Sequence, residues 1–268
     1  MRLEPVTSGK PVRLTDAGAA RPARAPTKAA ALAQVKQLGN RIDELQEALY
    51  AESRRSLLVV LQGRDTSGKD GTIRKVFDAL DPLGISITSF KAPTPQELAH
   101  DYLWRVHQAV PVRGTIGVFN RSHYEDVLVV RVHGLVPESV WRPRYDQINR
   151  FERNLTENGV TILKFFLHIS REEQRERLLA RLKDPKKYWK FSAGDLGERE
   201  RWDDYTAAYE EMLARTSTAG APWYVVPADK KYLRDVLVAQ VVADALEGMR
   251  PEYPGPPAEL EKFRKVLR

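Results

Sequence analysis

The sequence predicts an α/β fold: a parallel five-stranded sheet flanked by helices, with a helical lid inserted before the last strand. Three observations predict it. Five short apolar runs alternate with helical stretches, which is the pattern of a parallel sheet covered on both faces. A Gly-rich segment follows the first run directly and opens a helix. A long polar segment, Arg171 to Ala219, separates the fourth run from the fifth.

At 268 residues and 42% hydrophobic content, the chain can bury the core of one domain with an appendage. The absence of cysteine excludes a disulfide scaffold, a thiolate metal site and a cysteine nucleophile. Lys and Arg exceed Asp and Glu by 43 to 36, a balance of +7 that suits polyanionic partners or simply a solvated basic surface. The opening Met1-Arg2-Leu3-Glu4-Pro5 has no apolar signal-peptide stretch, and no later run approaches the roughly 20 residues of a membrane span. A cytoplasmic protein with no membrane or nucleic-acid partner is the expectation.

Residues 1 to about 26 carry Pro5, Pro11, Pro22 and Pro26 among Gly, Ala and basic residues, so they read as an extended arm outside the core. Residues 27–268 then form a single domain. From Thr27 to Ser53, Leu32, Val35, Leu38, Ile42, Leu45 and Leu49 recur at three- and four-residue steps, an amphipathic helix with Thr27 as its cap. Strands are expected at Ser56–Leu61, Ile85–Phe90, Thr115–Phe119, Val160–His168 and Trp223–Val226. His100 and His107 read as helix-face residues and His168 as a strand end, with no metal cluster among them.

After the first strand come Gly63-Arg64-Asp65-Thr66-Ser67-Gly68-Lys69-Asp70-Gly71 and then Thr72 on a helix. The first seven match G-x-x-x-x-G-K, in which backbone N–H groups and the helix N-terminus cradle a phosphate and the lysine neutralises its charge. With the alternating elements this defines a P-loop kinase-like fold; a chance Gly-rich turn is the alternative. Two departures stand out. Asp70 occupies the position that usually supplies a hydroxyl to Mg²⁺, and Asp65 lies inside the loop, where a carboxylate either binds Mg²⁺, directs an attacking group or stabilises the turn.

The third strand ends in Asn120-Arg121-Ser122-His123-Tyr124-Glu125-Asp126-Val127, on the sheet edge where ligands collect. Arg121 can clamp an anion, and Glu125 and Asp126 can ligate a metal or position an acceptor phosphate, with Ser122 and Tyr124 beside them. Ser122 and Glu125 also have the spacing of a helix capping box. In the insertion, Arg177 and Arg181 lie four apart on one helix face, suited to a lid that carries arginines onto a transferring phosphoryl group; Arg177 paired only with Glu173 is the alternative. Asp184-Pro185 ends that helix, and Lys186-Lys187-Tyr188-Trp189-Lys190 mixes cations with aromatics. Pro227-Ala228-Asp229-Lys230-Lys231 reads as a turn at the same sheet edge.

The two motifs, with Ser89-Phe90-Lys91-Ala92-Pro93, Gln174 with Arg177 and Arg181, Asp184-Pro185 with Lys187, Trp189 and Lys190, and Trp223-Tyr224-Val225-Val226-Pro227-Ala228-Asp229, resemble the polyphosphate kinase 2 family over roughly residues 27 to 250. The resemblance implies a fold like that of adenylate and thymidylate kinases, a helical lid at about 171–219, Mg²⁺ or Mn²⁺ dependence, and reversible transfer of the terminal phosphoryl group of polyphosphate to AMP, ADP or guanine nucleotides in a homo-oligomer, dimer or tetramer. By position it implies Asp65, Lys69, Arg121, Glu125, Arg177 and Arg181 as catalytic residues and the segment Gly63 to Thr72 as the phosphate site. It further implies Arg74, Lys75, Lys91, Lys187 and Lys190 as polyphosphate contacts, and Asp65 with Asp126 as metal ligands. Many members have Asp where this chain has Asn120 and Asn where it has Glu125, and the Asn and Glu form resembles the subgroup that phosphorylates both nucleoside mono- and diphosphates. The rival readings are an ATP-dependent nucleoside monophosphate kinase and a non-catalytic polyanion-binding protein.

Overall fold

The structure is a computed structural model that describes residues 1–268. The helical turn α1 (Asp16–Ala19) and the long helix α2 (Lys28–Glu52) lead to β1 (Ser56–Gln62), α3 (Lys69–Val76) and β2 (Ile85–Ser89). Short helices α4 (Pro95–Leu98) and α5 (Trp104–Ala109) precede β3 (Ile116–Asn120), and α6 (Val129–Val132), α7 (Glu138–Trp141) and α8 (Arg144–Glu157) precede β4 (Val160–His168). Then come α9 (Arg171–Lys183), α10 (Gly194–Glu200), α11 (Trp202–Thr216), β5 (Trp223–Pro227), α12 (Lys231–Met249) and α13 (Leu260–Val266).

All five strands pair in parallel in the order β2-β3-β1-β4-β5. The central strand β1 is buried at every residue, as Ser-Leu-Leu-Val-Val-Leu-Gln requires of a strand covered on both faces. Its side chains alternate: Leu57, Val59 and Leu61 enter a core with α2, α3 and α12, while Leu58 and Val60 enter a second core with α8 and α11. Each such side chain contributes about 1.5–3 kcal/mol on burial. The predicted strands fall within a residue or two of the observed ones, and Thr27 caps α2 by accepting from the Ala30 N–H at 3.3 Å.

Two expectations change in detail. The first 26 residues are largely extended, yet they are bonded down: the Val6 N–H donates to Trp223 O (2.8 Å), Gly9 N to Ala214 O (3.1 Å) and Asp229 N to Ala19 O (3.2 Å). Ala19 and Ala25 of that arm are themselves buried. In the polar insertion, α11 buries Tyr205, Tyr209, Met212 and Leu213 in the second core, so α9 and α10 are the helices left to form the lid over the loop.

Candidate active site

The loop between β1 and α3 is shaped by residues forced out of ordinary backbone space. Thr66 (φ 65°) and Gly68 (φ 103°) both take left-handed conformations. A Cβ on Gly68 would lie 1.7 Å from the Arg234 guanidinium, so glycine is required there on two counts. Lys69 folds back on the loop, its Nζ donating to Gly63 O at 2.7 Å and Arg64 O at 3.3 Å. Burial, then the neighbouring Arg121, push its pKa down to about 8 against the pull of Asp65, Glu125 and Asp70.

The end of β3 meets this loop. Asn120 Nδ2 donates to Asp70 Oδ1 at 2.9 Å. Arg121, left-handed at φ 63°, donates its backbone N–H to Leu61 O, and its guanidinium bridges Asp65 Oδ1 (2.6 Å) and Glu125 Oε2 (3.2 Å). Glu125 first, then Asp65, raise its pKa despite burial, so the cation is permanent.

Two cavities of opposite character adjoin at Phe90, Lys91 and Arg121. A basin of about 590 Å³ over the loop is lined by nine cations, Lys69, Lys91, Arg121, Arg177, Arg181, Lys187, Lys190, Lys231 and Arg234, against the two carboxylates of Asp65 and Asp70. Phe90 and Ala180 are its only apolar lining. The second cavity, about 970 Å³, is walled by Leu98, Val129, Val130, Leu135, Val136 and Val140, with Arg105, Arg121 and Arg144 among its polar residues. Such a cavity suits a planar base with an anionic tail.

The expected site residues divide. Asp65, Thr66, Gly68, Lys69, Asp70, Gly71, Lys91, Arg121, Arg177, Arg181, Lys187 and Lys190 all line the basin, and Glu125 lines the apolar cavity with Arg121. Gly63, Ser67 and Thr72 do not line the basin: Ser67 and Thr72 are fully buried, and Thr72 Oγ1 reaches Asp235 at 3.4 Å. Arg64 turns away, its guanidinium 3.8 Å above the Trp202 ring and bonded to Trp202 O at 3.0 Å, so it ties the loop to α11. Arg74 and Lys75 sit on the exposed side of α3, outside the basin.

Tyr124 and Ser122 are not acceptor contacts, because the tight helical turn after β3 rotates both inward. Tyr124 is 0% exposed; its hydroxyl donates to Glu152 Oε1 at 2.7 Å and accepts from Lys164 Nζ at 2.8 Å. Ser122 is equally buried and accepts from Gln62 Nε2 and from the Tyr124 N–H. Ser122 therefore caps the turn, but Glu125 pairs with Arg121 in place of completing a capping box.

Asp126 is corrected as a metal ligand: it lines the apolar cavity, not the basin, and is held by Arg144 at 3.1 Å. Arg177 does pair with Glu173 (2.8 Å), but it also donates to Thr66 O, Ser67 O, Ala228 O and Asp229 O, at 2.7 to 3.2 Å. Arg181 is less committed, with Lys190 O at 2.8 Å and Asp195 Oδ2 at 3.3 Å.

No group of three or more His, Asp or Glu side chains forms a metal cage. The basin still fits a divalent ion, since Mg²⁺ binds through one or two carboxylates plus substrate phosphates and water. Asp65 and Asp70 are the carboxylates of the basin that could serve, each with one oxygen engaged by Arg121 or Asn120 and the other without a protein hydrogen bond.

A loop after the first strand of a parallel sheet, with lysine, arginine and two carboxylates converging on it, defines an enzyme of phosphoryl transfer with a P-loop kinase-like fold. The family model of polyphosphate kinase 2 (PPK2) matches residues 26–254, and the chain belongs to that family. It is 56% identical over 236 residues to the AMP/ADP-polyphosphate phosphotransferase of Meiothermus ruber, covering 88% of each chain. It is 48% identical over 226 residues to the ADP-polyphosphate phosphotransferase of Rhodopseudomonas palustris, covering 80% of this chain and 78% of that one. Among solved structures, the polyphosphate kinase 2 of Arthrobacter aurescens TC1 superposes with a TM-score of 0.90 at 42% identity, covering 99% of this chain and 98% of that one.

Sequence reasoning missed Arg105, Arg144 and Arg234. Arg105 comes from α5 and Arg144 from the start of α8, far in sequence from either motif. Lys231 was within reach, since it ends a turn already placed at this sheet edge. No helix is long and apolar enough to cross a membrane.

Proposed function

We propose that the protein moves the terminal phosphoryl group of inorganic polyphosphate reversibly to AMP and ADP, with guanine nucleotides as further acceptors, as a cytoplasmic, Mg²⁺-dependent homo-oligomer. The supporting observation is the contrast between the cavities. A nucleotide donor needs an apolar slot for its base on the donor side, and the basin offers only Phe90 and Ala180 among its nine cations. A donor made only of phosphate needs no such slot. The apolar cavity next to it takes the acceptor base, with the acceptor phosphate toward Arg121. The name of the Meiothermus ruber relative joins AMP and ADP, the same acceptor range.

In this mechanism the donor chain lies in the basin with its terminal group over the loop. An acceptor phosphate oxygen attacks the terminal phosphorus in line; the bond to the bridging oxygen breaks, and the shortened chain leaves with that electron pair. Lys69 and Arg121 hold the developing charge, and the loop N–H groups orient the phosphoryl oxygens. Asp65 and Asp70 would hold Mg²⁺, which would supply neutralisation of phosphate charge. Arg181 closes the lid side of the basin and excludes water.

The test is ADP formation from AMP, long-chain polyphosphate and Mg²⁺ with no ATP present. Lys69→Ala and Asp65→Asn abolish it while the protein stays folded by circular dichroism. Near-normal turnover in either variant, or a wild type that requires ATP, overturns the proposal.

A further inference from the structure

We propose that Lys231, on the first turn of α12, binds the donor chain well behind its reacting end and makes the enzyme selective for long polyphosphate over short. The inference rests on the reading of the basin as the donor site.

The basin runs between two walls. Arg181, Lys187 and Lys190, from the lid, form one, and Lys231 with Arg234, from the first turn of α12, forms the other. Most of these cations have protein partners: Lys187 pairs with Asp184 at 2.7 Å, Arg181 with Asp195, Arg177 with Glu173 and Arg234 with Asp235 at 2.6 Å. Lys190 lies over the Trp189 ring. Lys231 has no salt bridge, hydrogen bond or ring contact, and partial burial, then Arg177 and Arg234, hold its pKa down against the more distant pull of Glu173. A lysine kept uncompensated among arginines at the wall of a cavity is placed for an anion that the chain does not itself supply.

Its place in the sheet says which part of the donor it meets. Arg121 follows β3 and Lys231 follows β5, so the order β3-β1-β4-β5 puts three strand spacings between them, about 14 Å. A chain whose end reacts beside Arg121 crosses the phosphate loop before it reaches Lys231. Each phosphate added to the donor extends its reach along that span, so a long chain meets Lys231 more readily than a tripolyphosphate does. The second wall therefore rewards length alone: it leaves the reacting group untouched and adds affinity for chains that span the sheet edge. Arg234 holds the wall in register through its bond to Ser67 O and its approach to Gly68, and is a positioning residue for it.

The experiment compares the full-length wild type with Lys231→Ala, Lys231→Arg and, as a charge control, Lys36→Ala on the exposed face of α2. Donors run from tripolyphosphate through a graded series to long-chain polyphosphate, with AMP saturating. Lys231→Ala is expected to raise KM for long chains about five- to tenfold, the scale of one charge-assisted contact. KM for the shortest donor used and for AMP stays within twofold, and kcat is retained. The salt dependence of KM for long chains becomes shallower, Lys231→Arg restores the wild-type values, and Lys36→Ala matches wild type. An unchanged KM for long chains, a rise equal at every chain length, or failure of Lys231→Arg to restore the values overturns the inference while leaving the donor-site reading intact. A wild type that turns over no polyphosphate refutes that reading and the inference together.

Discussion

Gly68→Ala tests whether the phosphate loop is built around a buried arginine at the start of α12. Gly68 sits at φ 103°, which costs a non-glycine residue about 1–2 kcal/mol. The added Cβ would also lie 1.7 Å from Arg234 Nη1 and 2.8 Å from its Cζ, so the guanidinium must leave. When it leaves, Ser67 O loses a donor at 3.2 Å and Asp235, 7% exposed, loses the arginine that neutralises it. Stripping one partner from such a pair costs about 3–5 kcal/mol. Gly68→Ala alone is therefore expected to destabilise by about 4–7 kcal/mol, and Arg234→Ala alone by about 3–5 kcal/mol. In the double variant the clash is gone and Asp235 is already unpaired, so the second substitution adds only the backbone strain, about 1–2 kcal/mol. Urea unfolding of the four proteins measures the cycle. A coupling of about 3–5 kcal/mol fits the geometry; costs that simply add, within about 0.5 kcal/mol, refute it.

Four further outcomes follow from the same contacts. With Lys69 pushed down to about 8, kcat/KM for polyphosphate falls as pH rises through that value, because the neutral amine no longer holds phosphate charge; Lys69→Arg removes this high-pH limb whatever its absolute rate. Because burial disfavours the charged form, the same lysine costs folding stability below about pH 8, and that cost fades as pH rises toward 10.5. Val130→Trp fills the apolar cavity and is expected to raise KM for AMP at least tenfold with KM for polyphosphate nearly unchanged, read from initial rates with each substrate varied. Glu152→Gln leaves the fully buried Lys164 without its carboxylate at 2.6 Å and is expected to cost about 3–5 kcal/mol, seen as a lower urea midpoint.

The sheet was legible because its signal is local. Each strand is a short apolar run with polar punctuation, and β1 through β5 fall where those runs fall. The phosphate loop was legible for the same reason, since its glycines and lysine are neighbours in sequence. What the sequence hides is direction at tight turns. Spacing places Ser122, Tyr124 and Glu125 in one polar cluster, but the helical turn over His123–Asp126 sends Tyr124 and Ser122 into the core and Glu125 to Arg121. Partners distant in sequence are hidden too, as with Arg144 on Asp126, 18 residues away, and Arg234 on Ser67, 167 residues away.

Arg177 and Arg181 show how this bears on mechanism. Helical periodicity puts them on one face and suggests one shared task. The structure divides them: Arg177 spends donors on the carbonyls of the phosphate loop and of the turn after β5, so it binds α9 to two segments of the sheet edge. An arginine with that many backbone acceptors fixes where the lid is rooted, and moving it toward a phosphate would undo the loop that holds the phosphate. Arg181, one helical turn further from that root and bonded only to Lys190 O and Asp195, can be released at the loss of two contacts. The lid thus has an anchored end and a free end, and the charge that responds to substrate belongs at the free one.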